Sequence, residues 1–158
     1  MKDSIHKYFK VGIIQWMSYP HRPAMESLRA ICADVFFDAI ELKGFGVDNE
    51  AAKRLLAQSH LRVCYGAQPR LLGPKLNPNA IDEAARKQAE ATLLEAVDEA
   101  EYLGAKGIAF LAGKWAEETK ELAYAQLLKT TRNVCSYAAR KGMYVELEAF
   151  DFDMDKAA

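Results

Sequence analysis

Apolar residues recur along this chain in two alternating rhythms. Short β-branched or aromatic runs read as strands: VGIIQW (11–16), DAIEL (38–42), LRVCYG (61–66), GIAFLAG (107–113) and YVELE (144–148). Between them the spacing turns helical. Met25, Leu28, Ile31, Cys32 and Val35 predict one face of a first helix, and a second spans about residues 51–58. The stretch from Gln68 to Asn79, rich in Pro, Asn and Gly, interrupts regular structure. Asn79 is placed to cap the next helix, with Asp82 beside its free N–H groups. Ile81, Leu93, Leu94, Val97 and Tyr102 mark that helix, and Gly104 supplies a left-handed end. A last helix runs from about Glu117 to Lys141 and stops at Gly142.

The resulting order, βαβαβαβαβ, predicts an α/β fold with a parallel sheet and helical crossovers. Two architectures accommodate it. In an open doubly wound sheet, five strands are a finished molecule. In a (β/α)₈ barrel, the same five are the first part of the wall. Periodicity does not separate them. No shift in composition marks a second domain, so residues 1–158 are expected to form one.

Composition narrows the setting. The chain has 158 residues, half of them hydrophobic, which suits one domain with a substantial core. Its 21 Lys+Arg against 22 Asp+Glu give no overall pull toward nucleic acid or anionic membrane. Cys32, Cys64 and Cys135 are odd in number and far apart, as expected of reduced, buried thiols. The start, MKDSIHKYFK, holds no apolar signal core, and no apolar run is long enough to span a membrane. A soluble cytoplasmic protein is the expectation.

The last strand carries the candidate chemistry. Alternation puts Tyr144, Glu146 and Glu148 on one face and Val145 and Leu147 on the other. If the sheet is a barrel wall, both glutamates point inward, and Glu148 stands at the C-terminal mouth where barrel active sites are built. A buried carboxylate there needs a metal, an arginine or a shared proton. If the strand is exposed, both glutamates are simply solvated. Asp151, Asp153 and Asp155 match the opening of a calcium loop, but Lys156 stands where that loop needs Gly, so the motif is rejected.

Three segments resemble one family. FFDAIEL (36–42) is similar to the second-strand signature of the xylose isomerase-like (β/α)₈ barrels, the sugar and sugar-phosphate isomerases and epimerases. AEYLGAKGIAFLAG (100–113) resembles its Leu-Gly-Ala turn and fourth strand, and ARKGMYVELEAFD (139–151) its approach to a fifth strand ending in a metal-binding Glu. The segments occur in the family's order. The resemblance implies a partial barrel, with strands in the order 1-2-3-4-5 and helices outside. It also implies a divalent cation at the mouth (Mn²⁺, Mg²⁺, Co²⁺ or Zn²⁺), held by residues from the ends of strands five to eight. Glu148 matches the first of those ligands and would serve as acid or base in metal-assisted proton transfer beside a carbonyl. Its three companion ligands would lie beyond Ala158. Glu146, one step deeper, would support Glu148 or meet a buried cation.

Further residues are candidates to line a sugar or sugar-phosphate site. The resemblance turns Glu41 toward the pocket, although pairing with Lys43 or Arg62 explains it equally well. Trp16, Lys114 and Trp115 follow strand ends and would offer aromatic walls and a cation, against a plain packing or surface role. His21 lies in an exposed mouth loop; His6, His60 and the GFG at 44–46 give no specific signal. Two alternatives stand beside the isomerase. An abasic-site endonuclease of the same superfamily would want early histidine ligands, which strands two and three lack. A non-catalytic α/β binding module would want a phosphate loop, which is also lacking. A wall of five strands would leave edges on the first and fifth, so association into homo-oligomers is expected.

Overall fold

Strands form where the β-branched runs predict them. The computed structural model describes residues 4–148, with β1 Gly12–Ile14, β2 Ala39–Leu42, β3 Arg62–Gly66, β4 Gly107–Leu111 and β5 Tyr144–Glu148. Neighbours are parallel throughout, and the order is β1-β2-β3-β4-β5. This is the order of a barrel wall, without the reversal of a doubly wound sheet. Six helices connect and flank the strands: α1 Gln15–Ser18, α2 Ala24–Ala33, α3 Asn49–Ala57, α4 Gln68–Leu72, α5 Glu83–Tyr102 and α6 Lys120–Arg140.

The register separates two faces. Ile13, Ile40 and Val63 lie side by side across the first three strands, and Ile108 pairs with Val145. With Leu42, Tyr65 and Phe110 they turn toward the helices, against Leu28, Ile31, Leu93, Val97 and Val134. Burying each large apolar side chain here contributes roughly 1.5–3 kcal/mol, which holds the helices to this face. The alternate residues Ile14, Glu41 and Cys64, also side by side, face the other way, as do Tyr144, Glu146 and Glu148 on β5. That inner face is open among the described residues. Glu146 is accordingly exposed rather than buried.

Several local expectations change. Val35 lies past the end of α2 and is 73% exposed, so it is not part of that helix's apolar face. The helix stops because Asp34 is extended and its carboxylate accepts the Phe36 N–H at 2.9 Å. Asp82, not Asn79, caps α5, accepting the Ala85 N–H at 2.8 Å; Asn79 is instead buried in the preceding loop. The 68–79 segment holds the short α4, with Pro69 in its first turn where a missing N–H costs nothing. Gly104 and Gly142 do take the left-handed conformation that ends α5 and α6. The three cysteines are free but half-buried rather than fully enclosed.

One buried ion cluster had no signature in the sequence. Arg86 on α5 is 3% exposed and donates to Glu83, to Glu90 at 2.5 Å and to Thr130 Oγ1 of α6 at 3.0 Å. Thr130 in turn donates to the Pro78 carbonyl at 2.8 Å. This ties α6 to the loop before α5. No helix among the described residues is long and apolar enough to cross a membrane. Asp151, Asp153 and Asp155 lie outside the described residues.

Candidate functional site

The mouth of the sheet is assembled from the ends of β1, β2, β3 and β5. After Ile14 the chain turns at once into α1, because Gln15 is buried and held by α2. Its amide donates to Ser27 Oγ at 2.7 Å and to the Ala24 carbonyl at 3.3 Å. Trp16 therefore sits on a helical turn rather than at a strand end, and its ring reaches over Gly66. Gly66 is the floor of the site. A Cβ there would overlap Trp16, the Gln68 amide oxygen and Glu41 Oε1 together. Three side chains can share this space only because the fourth is absent.

Gln68, the first residue of α4, ties the site together. Its Nε2 donates to Glu148 Oε2 at 2.8 Å and to Glu41 Oε1 at 3.3 Å, while its own Oε1 is buried without a partner. Glu41 thus meets Gln68 and not Lys43 or Arg62. Burial pushes the Glu41 carboxyl above the usual range; the Gln68 hydrogen bond pulls against this, and the charges of Glu148 and Glu146 add to the rise. Glu148 is exposed at the end of β5. The pair is unequal in setting: one carboxyl is half-buried, while the other is exposed, and a single amide spans both.

Lower on the same face, the Tyr144 ring crosses Gly107, where a Cβ would overlap it, and brings its hydroxyl 3.1 Å from Cys64 Sγ. The contact with Cys64, with burial second, pushes the Tyr144 phenol up to about 12. The Arg62 guanidinium lies 5.4 Å from the Tyr144 ring centre, which is where its charge is directed instead of toward Glu41.

Lys114 and Trp115 belong to a second cleft, of about 420 Å³, with Asn77, Asn79, Asp82 and Thr119 in its wall. Gly113 turns left-handed there, with Asn77 and Asn79 filling the position a side chain would take. Asn77 then holds the Lys114 backbone by two bonds, at 3.0 and 3.1 Å. Trp115 is about half exposed, with Lys120 Nζ 4.9 Å from its ring centre. None of Trp16, Glu41, Gln68 and Glu148 lines this cleft. The structure therefore groups Trp16, Glu41 and Glu148 and sets Lys114 and Trp115 apart. His21 is exposed.

Among the described residues, no three His, Cys, Asp or Glu side chains come together as a metal-binding group. At the mouth the donors are two carboxylates that already accept from one amide. Hard divalent cations take about six oxygen or nitrogen ligands, so these residues do not by themselves make a closed site.

Gln68 and Gly66 were not anticipated as site residues. The signal was present in YGAQP: a glycine ending a strand, then a polar side chain in the first turn of a Pro-containing helix.

The comparisons with known proteins agree with this fold. The family model described as xylose isomerase-like TIM barrel matches residues 30–156. Among solved structures, a D-tagatose 3-epimerase-like protein superposes with a TM-score of 0.75 at 18% identity, covering 90% of this chain and 53% of its own. An L-ribulose 3-epimerase does so with a TM-score of 0.71 at 21% identity, over 90% and 50%. A 3-keto-D-glucoside 4-epimerase from E. coli gives 0.70 at 18% identity, over 90% and 57%. The chain spans about half the length of these structures, and at such identities the likeness is one of fold. No curated protein matches.

Proposed function

Because this chain belongs to the xylose isomerase-like TIM-barrel family, we propose that it forms the N-terminal portion of a barrel that isomerises or epimerises a sugar or sugar phosphate. The observation that carries this reading is the Glu41–Gln68–Glu148 bridge above the Gly66 floor. Moving a proton beside a carbonyl requires a base and an acid held on either side of a small polar ligand. Glu148, exposed at the end of β5, is the base in this reading. Glu41, whose burial favours its protonated form, is the carboxyl able to keep or return a proton. Gln68 holds the two apart and offers its amide to sugar hydroxyls. Trp16 gives an aromatic face for the C–H side of the ring. Lys114 and Trp115 contact a more distant part of the substrate, such as a phosphate, from their own cleft.

A divalent ion (Mn²⁺, Mg²⁺, Co²⁺ or Zn²⁺) would polarise the carbonyl when bound. This chain offers it Glu148, and the described residues offer no closed shell around it. The near-even charge favours a small-molecule partner over nucleic acid. The three unpaired cysteines favour a cytoplasmic location.

The test is proton exchange, which needs no net conversion. The chain, completed by the remaining strands of its barrel, is incubated in D₂O with ketohexoses, ketopentoses and their phosphates, with and without Mn²⁺, and deuterium beside the carbonyl is read by NMR. Wild type should exchange, and Glu148→Gln should lose about 10²-fold or more, the usual worth of a positioned base. Exchange that is absent throughout, or equal in the variant, defeats the proposal.

A further inference from the structure

A second hydrogen-bonded cluster lies on the opposite side of the sheet. Glu99, on α5, is 14% exposed at its side chain and gathers three elements. Its Oε2 accepts from the Tyr65 hydroxyl of β3 at 2.5 Å and from Arg70 Nη2 of α4, while its Oε1 accepts from Asn49 Nδ2 of α3 at 2.6 Å. Arg70 Nε also donates to Tyr65 Oη at 3.0 Å. The Gly44 N–H donates to the same hydroxyl at 3.2 Å, and Asn49 Oδ1 accepts the Phe45 N–H at 2.8 Å. Gly44 itself makes room, since a Cβ there would overlap the Glu99 carboxylate.

Arg70 is two residues from Gln68 within the five-residue α4. So short a helix has no stability of its own, and its position is whatever its anchors impose. On the core side those anchors are the buried Leu71 and the Arg70 guanidinium, held at both Glu99 and Tyr65, with the Ala67 N–H just before the helix donating to the Ala109 carbonyl at 2.8 Å. On the mouth side, the Gln68 side chain donates to the two carboxylates it bridges.

We propose that Glu99 is a positioning residue: through Arg70 it fixes α4, and α4 fixes Gln68 between Glu41 and Glu148. The loop after β2 is held by the same carboxylate, so one side chain on an outer helix aligns two of the segments that bound the mouth. What this alignment does for catalysis rests on the reading above, whereas the alignment itself does not.

The test therefore uses the full chain without sugar. The Gln68 side-chain amide is followed by ¹H–¹⁵N NMR, assigned through Gln68→Ala, and the Cys64–Tyr144 contact serves as an inner-face control. Glu99→Gln keeps the volume but removes the charge from Arg70, and Arg70→Met removes the link while leaving Glu99 its other partners. Both should raise the water exchange of the Gln68 amide about tenfold or more, the scale of one lost charge-assisted hydrogen bond. Tyr144 should keep its chemical shift and its titration. Tyr65→Phe keeps the Arg70–Glu99 pair and should leave Gln68 in place. The proposal is overturned if Gln68 is unmoved in both variants. It is equally overturned if Gln68 and Tyr144 change together, because Glu99 would then be a general structural anchor. Should Glu99→Gln fail to fold, the Arg70→Met result decides in the same way. Loss of sugar exchange in the wild type would sink the functional reading and leave this result standing.

Discussion

The Gln68 amide nitrogen stands 2.8 Å from Glu148 Oε2, although 80 residues separate the two in the chain. The same nitrogen is 3.3 Å from Glu41 Oε1. One neutral donor thus serves two acidic side chains, and the more buried of them carries the strain of that arrangement.

Glu41→Gln is accordingly expected to leave the protein as stable or more stable at pH 7. Burial raises the Glu41 pKa in the folded state above its ordinary 4.5. The folded protein then holds this proton more tightly than the unfolded chain. Stability is full below 4.5 and falls as pH rises through the folded pKa. Glutamine resembles the protonated form, so the gain should be present at pH 7 and vanish below 4.5. Urea unfolding at pH 4 and pH 7 checks this; a variant clearly less stable than wild type at pH 7 contradicts it.

Tyr65 gives the alkaline counterpart. Burial, with the Glu99 hydrogen bond second, pushes its phenol up to about 12 from 10.0. The folded state again binds the proton more tightly, so stability should decline between about pH 10 and about pH 12. Tyr65→Phe removes the ionising group and should flatten that part of the decline. Denaturant midpoints across this range measure the difference, and parallel curves would refute it.

Arg86→Ala should cost about 3 kcal/mol or more, the scale for stranding one member of a buried ion pair. Arg86 is almost wholly enclosed, and its removal takes the guanidinium donor from Thr130 and leaves Glu90 only the neutral Asn133 amide. Replacing Arg86 and Glu90 together by Met should recover most of the loss, since the remaining partner, Glu83, is half exposed and keeps the Gln126 amide. A double variant as unstable as the single one would show that packing, not charge, is at stake.

The edges of the sheet predict association. β1 and β5 each have one unpaired side among the described residues, with Ile14 and Leu147 36% and 44% exposed. Unprotected edges of parallel strands recruit further strands. The molar mass measured by light scattering should rise with concentration for the isolated chain. A constant monomer mass over a wide range counts against this.

Much of the architecture was legible because it rests on local chemistry. The β-branched runs, the helical spacing of Leu28 and Ile31, and the glycines at 104 and 142 act over a few residues. The alternation that turned Glu146 and Glu148 one way and Val145 and Leu147 the other followed from strand geometry alone. Boundaries slipped where a side chain chose between neighbouring backbone groups, as when Asp82 rather than Asn79 took the cap of α5. Periodicity left barrel wall and doubly wound sheet equal, because strand order depends on which side each crossover lands, and no short segment encodes that. The site depended still more on distant contacts. Gly66 matters because Trp16, Glu41 and Gln68 arrive above it from three separate segments. Glu99 reaches Tyr65 and Arg70 only once α5 has packed on the sheet, and Lys114 and Trp115 were carried into another cleft by the left-handed turn at Gly113. A hydrogen bond between residues 80 apart is set by the packing of everything between them, and the residues at its two ends do not announce it.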